Sequence, residues 1–169
     1  MDEREATAYH EAGHAVITWS QRRAFQFVTV EKGEDFAGLT QQRAVPDWAQ
    51  PDVGDPRAQR WIHDAVRSSW AGLLAEAIYR GDPEATDPQG NDRFTIIELA
   101  PLPGEAASAY IEQQRLHTLK KLQHPHIWRA VEALAAALLT QHTIEWRDAK
   151  QIIQAAVAPQ SVTGHKVVT

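Results

Sequence analysis

A mainly helical domain with one small β-ribbon is what this sequence predicts. Apolar residues recur at helical spacing through most of the 169 residues, one short β-branched run interrupts them, and Pro- or Gly-bearing stretches divide the segments. Residues 3 to about 21 read as a first helix, with Ala6, Gly13, Ile17 and their neighbours at that spacing. Phe27-Val28-Thr29-Val30-Glu31, closed by Lys32-Gly33, reads as a strand, and Gly38-Leu39-Thr40 begins a second strand returning beside it. The stretch from Pro46 to Pro56 is a loop. Asp55-Pro56 supplies an N-cap and a first-turn proline, and Gly81 a stop, so 56–80 is a long amphipathic helix with a stripe of Ile62, Ala65, Val66, Leu73 and Ile78. A loop over 82–90 leads to Asn91 or Asp92, which opens a short helix ending before Pro101-Leu102-Pro103-Gly104. Helices near 105–122, 126–141 and 146–157 follow, the second of them started by Pro125. The expectation is one domain over residues 1–158 and a frayed tail over 159–169.

Composition narrows the function. Apolar residues make up 43% and charged residues 23%, the balance of a folded globular chain that buries enough surface to need no staples. Cys is absent, which excludes disulfides, thiol chemistry and Cys-ligated metals. A net charge of −5 argues against a general nucleic-acid binder. No apolar run reaches the roughly 18 residues of a membrane helix, and the acidic start Met1-Asp2-Glu3-Arg4-Glu5 is unlike a signal peptide, so a cytoplasmic location is expected. Eight His without Cys hint at imidazole chemistry.

That hint has a place. His10-Glu11-Ala12-Gly13-His14 falls inside the first helix, where residues four apart face the same way, so both imidazoles can reach one zinc ion. Glu11 lies between them and is placed to take a proton from a zinc-activated water. Gly13 lets a substrate or a neighbouring helix come close. A catalytic zinc takes three protein ligands, and the third must come from downstream: Glu76, Asp82, Glu84, Asp87, Asp92 or another His. Asp92 sits at a helix start, where a carboxylate is held rigidly, and there it serves equally well as a cap.

Thr7-Ala8-Tyr9-His10-Glu11-Ala12-Gly13-His14-Ala15-Val16 resembles the zinc helix of the FtsH-type ATP-dependent zinc metalloproteases, in their peptidase domain only. Val28-Thr29-Val30 with Gly38-Leu39-Thr40 looks like that family's strand and Gly-x-Thr turn. Ala71-Gly72-Leu73-Leu74-Ala75-Glu76 is similar to its Gly-Gly-Arg-x-Ala-Glu segment, and Asn91-Asp92 resembles the pair that supplies its third ligand. Val131 to Leu139, then Thr143-Ile144 and Ile152-Ile153, resemble its C-terminal helices. The resemblance implies a helical zinc-peptidase domain with Zn2+ on His10, His14 and Asp92, Glu11 as general base, and Glu76 orienting a ligand histidine. It also implies ring-like self-association.

The departures matter as much. No Gly-x-x-x-x-Gly-Lys-Ser/Thr loop is present, so the expected activity is on peptides or unfolded segments, alone or with a separate ATPase or adaptor. The loop before Asn91 carries Asp87 and Pro88 where the family has small residues, which keeps Asp87 as an alternative ligand. Residues 27–31, with Val28, Thr29 and Val30 at their centre, are the expected open strand edge for a peptide. Were both edges of that strand filled, a zinc hydrolase acting on a non-protein amide would gain ground. A catalytically silent binding module is the other alternative. His124-Pro125-His126 reads as a helix-start turn rather than a second metal site, and Trp48 as a possible cleft residue.

Overall fold

The computed structural model describes residues 2–33, 37–44, 46–49, 55–83, 90–100 and 104–159. Among them are six helices and three strands: α1 Glu3–Ser20, β1 Phe25–Thr29, β2 Leu39–Gln42, α2 Pro56–Arg80, α3 Gly90–Glu98, α4 Gly104–Leu122, α5 Pro125–Gln141, β3 Thr143–Glu145 and α6 Trp146–Val157. The protein is mainly helical with a small antiparallel sheet. No helix of the described residues is long and apolar enough to cross a membrane. The expected tail beyond residue 159, and the candidate ligands Glu84 and Asp87, lie outside the described residues.

Local signals set the helix ends. Asp2 caps α1 by accepting the Arg4 N–H at 2.9 Å, and Glu3 and Glu5 complement the helix dipole in its first turn. Asp55 caps α2 by accepting the Arg57 N–H at 2.8 Å, Pro56 occupies the first turn, and Gly81 ends the helix in the left-handed region at φ 83°. The core is built on α1 against α2, with α5 and α6 closing it through Leu134, Leu138 and Ile153. Side-chain volume permits the α1–α2 contact: a Cβ on Gly13 would stand 2.4 Å from the Ala71 carbonyl oxygen and 2.6 Å from the Ala75 Cβ. The close approach that Gly13 allows is therefore by a neighbouring helix.

The sheet corrects the sequence reading twice. The first strand lies at Phe25–Thr29 rather than 27–31, with an irregularity between Phe25 and Phe27. The sheet also has a third strand, in the order β2-β1-β3. Val28 pairs Thr40 on one side and Ile144 on the other, Thr29 pairs Leu39 and Thr143, and the Val30 N–H donates to the His142 carbonyl at 2.9 Å. The open edge expected at Val28, Thr29 and Val30 is thus filled on both sides at Val28 and Thr29, and Val30 is bonded to His142 on the β3 side. β3 is only three residues long, too short to show alternation, and it exists as a strand through pairing with β1 more than a hundred residues earlier. The outer strands are β2 and β3, each of which pairs only with β1 among the described strands.

Candidate metal centre

His10 and His14 leave α1 on one face, one turn apart, and their rings meet edge to face with centroids 4.7 Å apart. α2 orients both from behind. The His14 Nδ1 lies 2.7 Å from the Ser68 carbonyl oxygen, and the His10 Nδ1 lies 3.1 Å from the Glu76 Oε2. Glu76 is itself held from its other oxygen by the Arg80 Nε, which donates at 2.9 Å. α3 then brings Asp92 over the two rings. Its Oδ2 stands 3.1 Å from the His10 Nε2 and 3.3 Å from the His14 Nε2, and the two Nε2 atoms are 3.0 Å apart.

Hydrogen-bond bookkeeping gives this triangle its meaning. A carbonyl oxygen can only accept, so the His14 Nδ1 carries the proton and donates to Ser68. The Glu76 carboxylate assigns the His10 Nδ1 in the same way. In the neutral imidazoles both Nε2 atoms are then bare lone pairs, and they converge with a carboxylate oxygen and no hydrogen among them. Such a set calls for a cation. Metal–ligand bonds of roughly 2.0–2.1 Å in tetrahedral geometry require ligand–ligand edges of about 3.3–3.4 Å. The observed edges of 3.0, 3.1 and 3.3 Å come within a few tenths of an ångström of that face. His10, His14 and Asp92 could therefore hold a metal ion, and they form such a group among the described residues.

Electrostatics point the same way. Burial works against a charged His10, yet hydrogen bonds to Asp92 and Glu76 outweigh it and raise the ring to about 10. His14 is raised against its burial chiefly by the Asp92 charge. Burial pushes the Asp92 carboxyl up, but the two imidazoles hold it well below the usual carboxylate range. The Glu76 carboxyl is lowered, first by its bond with His10. The three inward atoms thus favour positive charge between them, and a metal ion competes with protons for that place.

Glu11 stands beside this group, only 5% exposed. The Thr40 hydroxyl, on β2, lies 2.8 Å from its Oε2 and 3.1 Å from its backbone carbonyl. Gly38 clears the space: a Cβ there would meet the Glu11 Cγ at 2.8 Å and Oε1 at 3.0 Å. Gly72 does the same for His14, since a Cβ at 72 would stand 2.3 Å from its Nε2. Thr40, Gly38, Gly72 and Ser68 are the supports that the sequence reading did not assign to the site. Glycine inside the α2 pattern was a signal for Gly72, whereas Ser68 acts through its backbone and leaves no side-chain signature.

The group opens into a cleft of about 570 Å³ walled by β2, α2 and α3, including Leu39, Gln42, Trp61, Ser69 and Phe94. Of the other candidate ligands, Asp82 lies at the end of α2, where its N–H donates to the Ala77 carbonyl. The His124 and His126 rings lie 4.5 Å apart at the start of α5 and join no metal group among the described residues. No protein-family model matches this chain, and no curated protein matches it.

Proposed function

We propose that this chain is a zinc-dependent metallopeptidase of FtsH type that hydrolyses peptide bonds in peptides or unfolded segments. One observation carries the reading: two imidazole Nε2 atoms and a carboxylate oxygen converge within 3.0–3.3 Å of one another, one helical position from a buried glutamate. His10, His14 and Asp92 would hold the ion, and their imidazole and carboxylate donors suit zinc. Bound there, zinc supplies Lewis acidity, drawing the pKa of its water towards 7 and polarising a carbonyl. Glu11 takes a proton from the attacking water and returns it to the leaving amine. Thr40 fixes the carboxylate that makes this transfer, and Glu76 and Ser68 fix the rings.

An extended substrate has β2 to pair with. Its outer edge offers main-chain groups along the cleft, in place of the filled edges of β1. A cleft of about 570 Å³ admits a few residues of extended chain, so folded substrates need a partner that unfolds them from outside these 169 residues. The filled edges of β1 favour one second reading, a zinc hydrolase acting on a small non-protein amide.

The test is hydrolysis of a fluorescently labelled unfolded protein by the zinc-loaded chain beside Glu11→Gln. The expected result is one zinc per chain in both and cleavage in the first alone. Zinc binding with no cleavage of any peptide, but turnover of small acyl amides, would establish the second reading. No zinc at all would overturn both.

A further inference from the structure

The metal cleft does not end at β2. Arg23, Arg43 and Trp61 line it and also line a neighbouring hollow of about 530 Å³, which Arg57, Arg60 and Trp48 complete. In a chain of net charge −5, this hollow gathers four arginines, and Asp64 is the acid among its described lining residues. Two of the arginines are occupied. Arg57 is held by Asp55 at 2.9 Å and lies over Trp48, and Arg23 faces Asp64 and lies over the Trp61 ring at 5.3 Å. Arg43 and Arg60 are exposed and have no carboxylate partner among the described residues. Among the described residues their charge is left for whatever enters.

Resting on the peptidase reading, we propose that this hollow is the specificity subsite of the cleft and takes acidic side chains of the substrate peptide. Position supports it as well as charge. β2 holds Glu11 through Thr40, and Arg43 follows three residues later in the chain, about 10 Å along an extended backbone. A substrate strand lying along β2 with its scissile bond at Glu11 places a side chain about three residues away beside Arg43. Trp48, 45% exposed, and Trp61 give the stem of a Glu an apolar surface while the guanidinium groups meet its carboxylate. Glu98, on α3, is the acid in the cleft besides Glu11 and Asp92, and it does not line the hollow.

The experiment measures binding apart from turnover. The zinc-loaded Glu11→Gln chain is titrated, by fluorescence anisotropy, into labelled peptides of equal length that carry Glu, Gln or Lys at positions two to four residues from a central bond. A single-stranded oligonucleotide of similar length is the fourth probe. The expected order is Glu over Gln by about tenfold, Lys weakest, with the preference weakening as salt rises. Arg43→Glu combined with Arg60→Glu, both at exposed positions, should abolish the order or invert it while zinc content and circular dichroism stay unchanged. Equal binding of the Glu and Gln peptides, or a preference that survives in the double variant, overturns the subsite. Oligonucleotide binding stronger than that of the Glu peptide overturns the peptide assignment. Hydrolysis by the zinc-loaded wild-type chain is followed in parallel. Its failure on every peptide refutes the peptidase reading, whereas the binding order separately decides whether the hollow selects acidic chains.

Discussion

Replacing Gly72 by alanine tests the metal centre without touching a ligand. The new Cβ would stand 2.3 Å from the His14 Nε2, 2.5 Å from its Cε1 and 2.7 Å from its Cδ2. The nearest of these falls short of the 3.4 Å of ordinary contact by about 1.1 Å, against a tolerance of about 0.2 Å in metal–ligand distances. The ring cannot simply slide away, because its Nδ1 is tied to the Ser68 carbonyl at 2.7 Å and the residue is 9% exposed. Either the ring tilts and takes the Nε2 out of the triangle, or α2 moves and takes Ser68 and Glu76 with it. Both routes cost the metal a well-placed donor, and zinc affinity should fall about a hundredfold. The overpacking itself should destabilise the metal-free fold by about 1–3 kcal/mol. At about 2–4 °C per kcal/mol for a chain of this size, melting should fall by several degrees while the chain stays folded. Competition against a chelator of known zinc affinity gives the first quantity, and melting of the metal-free protein by circular dichroism gives the second. A folded Gly72→Ala protein whose zinc affinity stays within threefold of wild type would refute the reasoning, because the triangle would then not be where zinc binds.

Other perturbations separate the parts of the site. Thr40→Val removes the hydroxyl that holds the Glu11 carboxylate and should lower kcat about tenfold while zinc content is unchanged; a loss of zinc instead would mean that Thr40 shapes the ligands. Glu76→Gln keeps an acceptor for the His10 Nδ1 but removes the charge, and should weaken zinc binding about tenfold with little change in the fold. The response to pH has a defined sign. His10 is raised from 6.5 to about 10, so its proton stabilises the metal-free fold fully below pH 6.5, and that contribution is lost as pH rises through about 10. Zinc must displace that proton, so the rise in Tm on adding excess zinc should grow between pH 6.5 and 9, where zinc stays dissolved in a weakly chelating buffer. A zinc-induced shift that is flat or shrinks with pH would contradict the protonation assignment.

What could be read directly from the sequence shares one physical property, a short range along the chain. The caps at Asp2 and Asp55, Pro56 at the start of α2 and Gly81 at its end act within one turn, and their residues name them. His10 and His14 share a face because four residues make about one helical turn, so two of the three metal donors and the neighbouring Glu11 needed no tertiary information. Asp92 and Glu76 could be named as candidates, but a cap and a ligand look alike in one dimension. Packing of α2 on α1, and of α3 on α2, is what sets an oxygen 3.1 Å from His10 across 82 residues. The sheet shows the opposite limit. Residues 27–31 promised an open edge because their own pattern said strand, yet whether an edge is open depends on what else arrives. Thr143–Glu145 is too short to announce itself, and it fills that edge, so that β1 becomes the central strand between β2 and β3. The Thr40 hold on Glu11, the space that Gly72 leaves for His14, and the meeting of Arg23, Arg43 and Arg60 around two tryptophans arise in the same way. Periodicity and capping are local and legible in a single chain, whereas a site is a set of distances between segments, and those distances exist only once the core has packed.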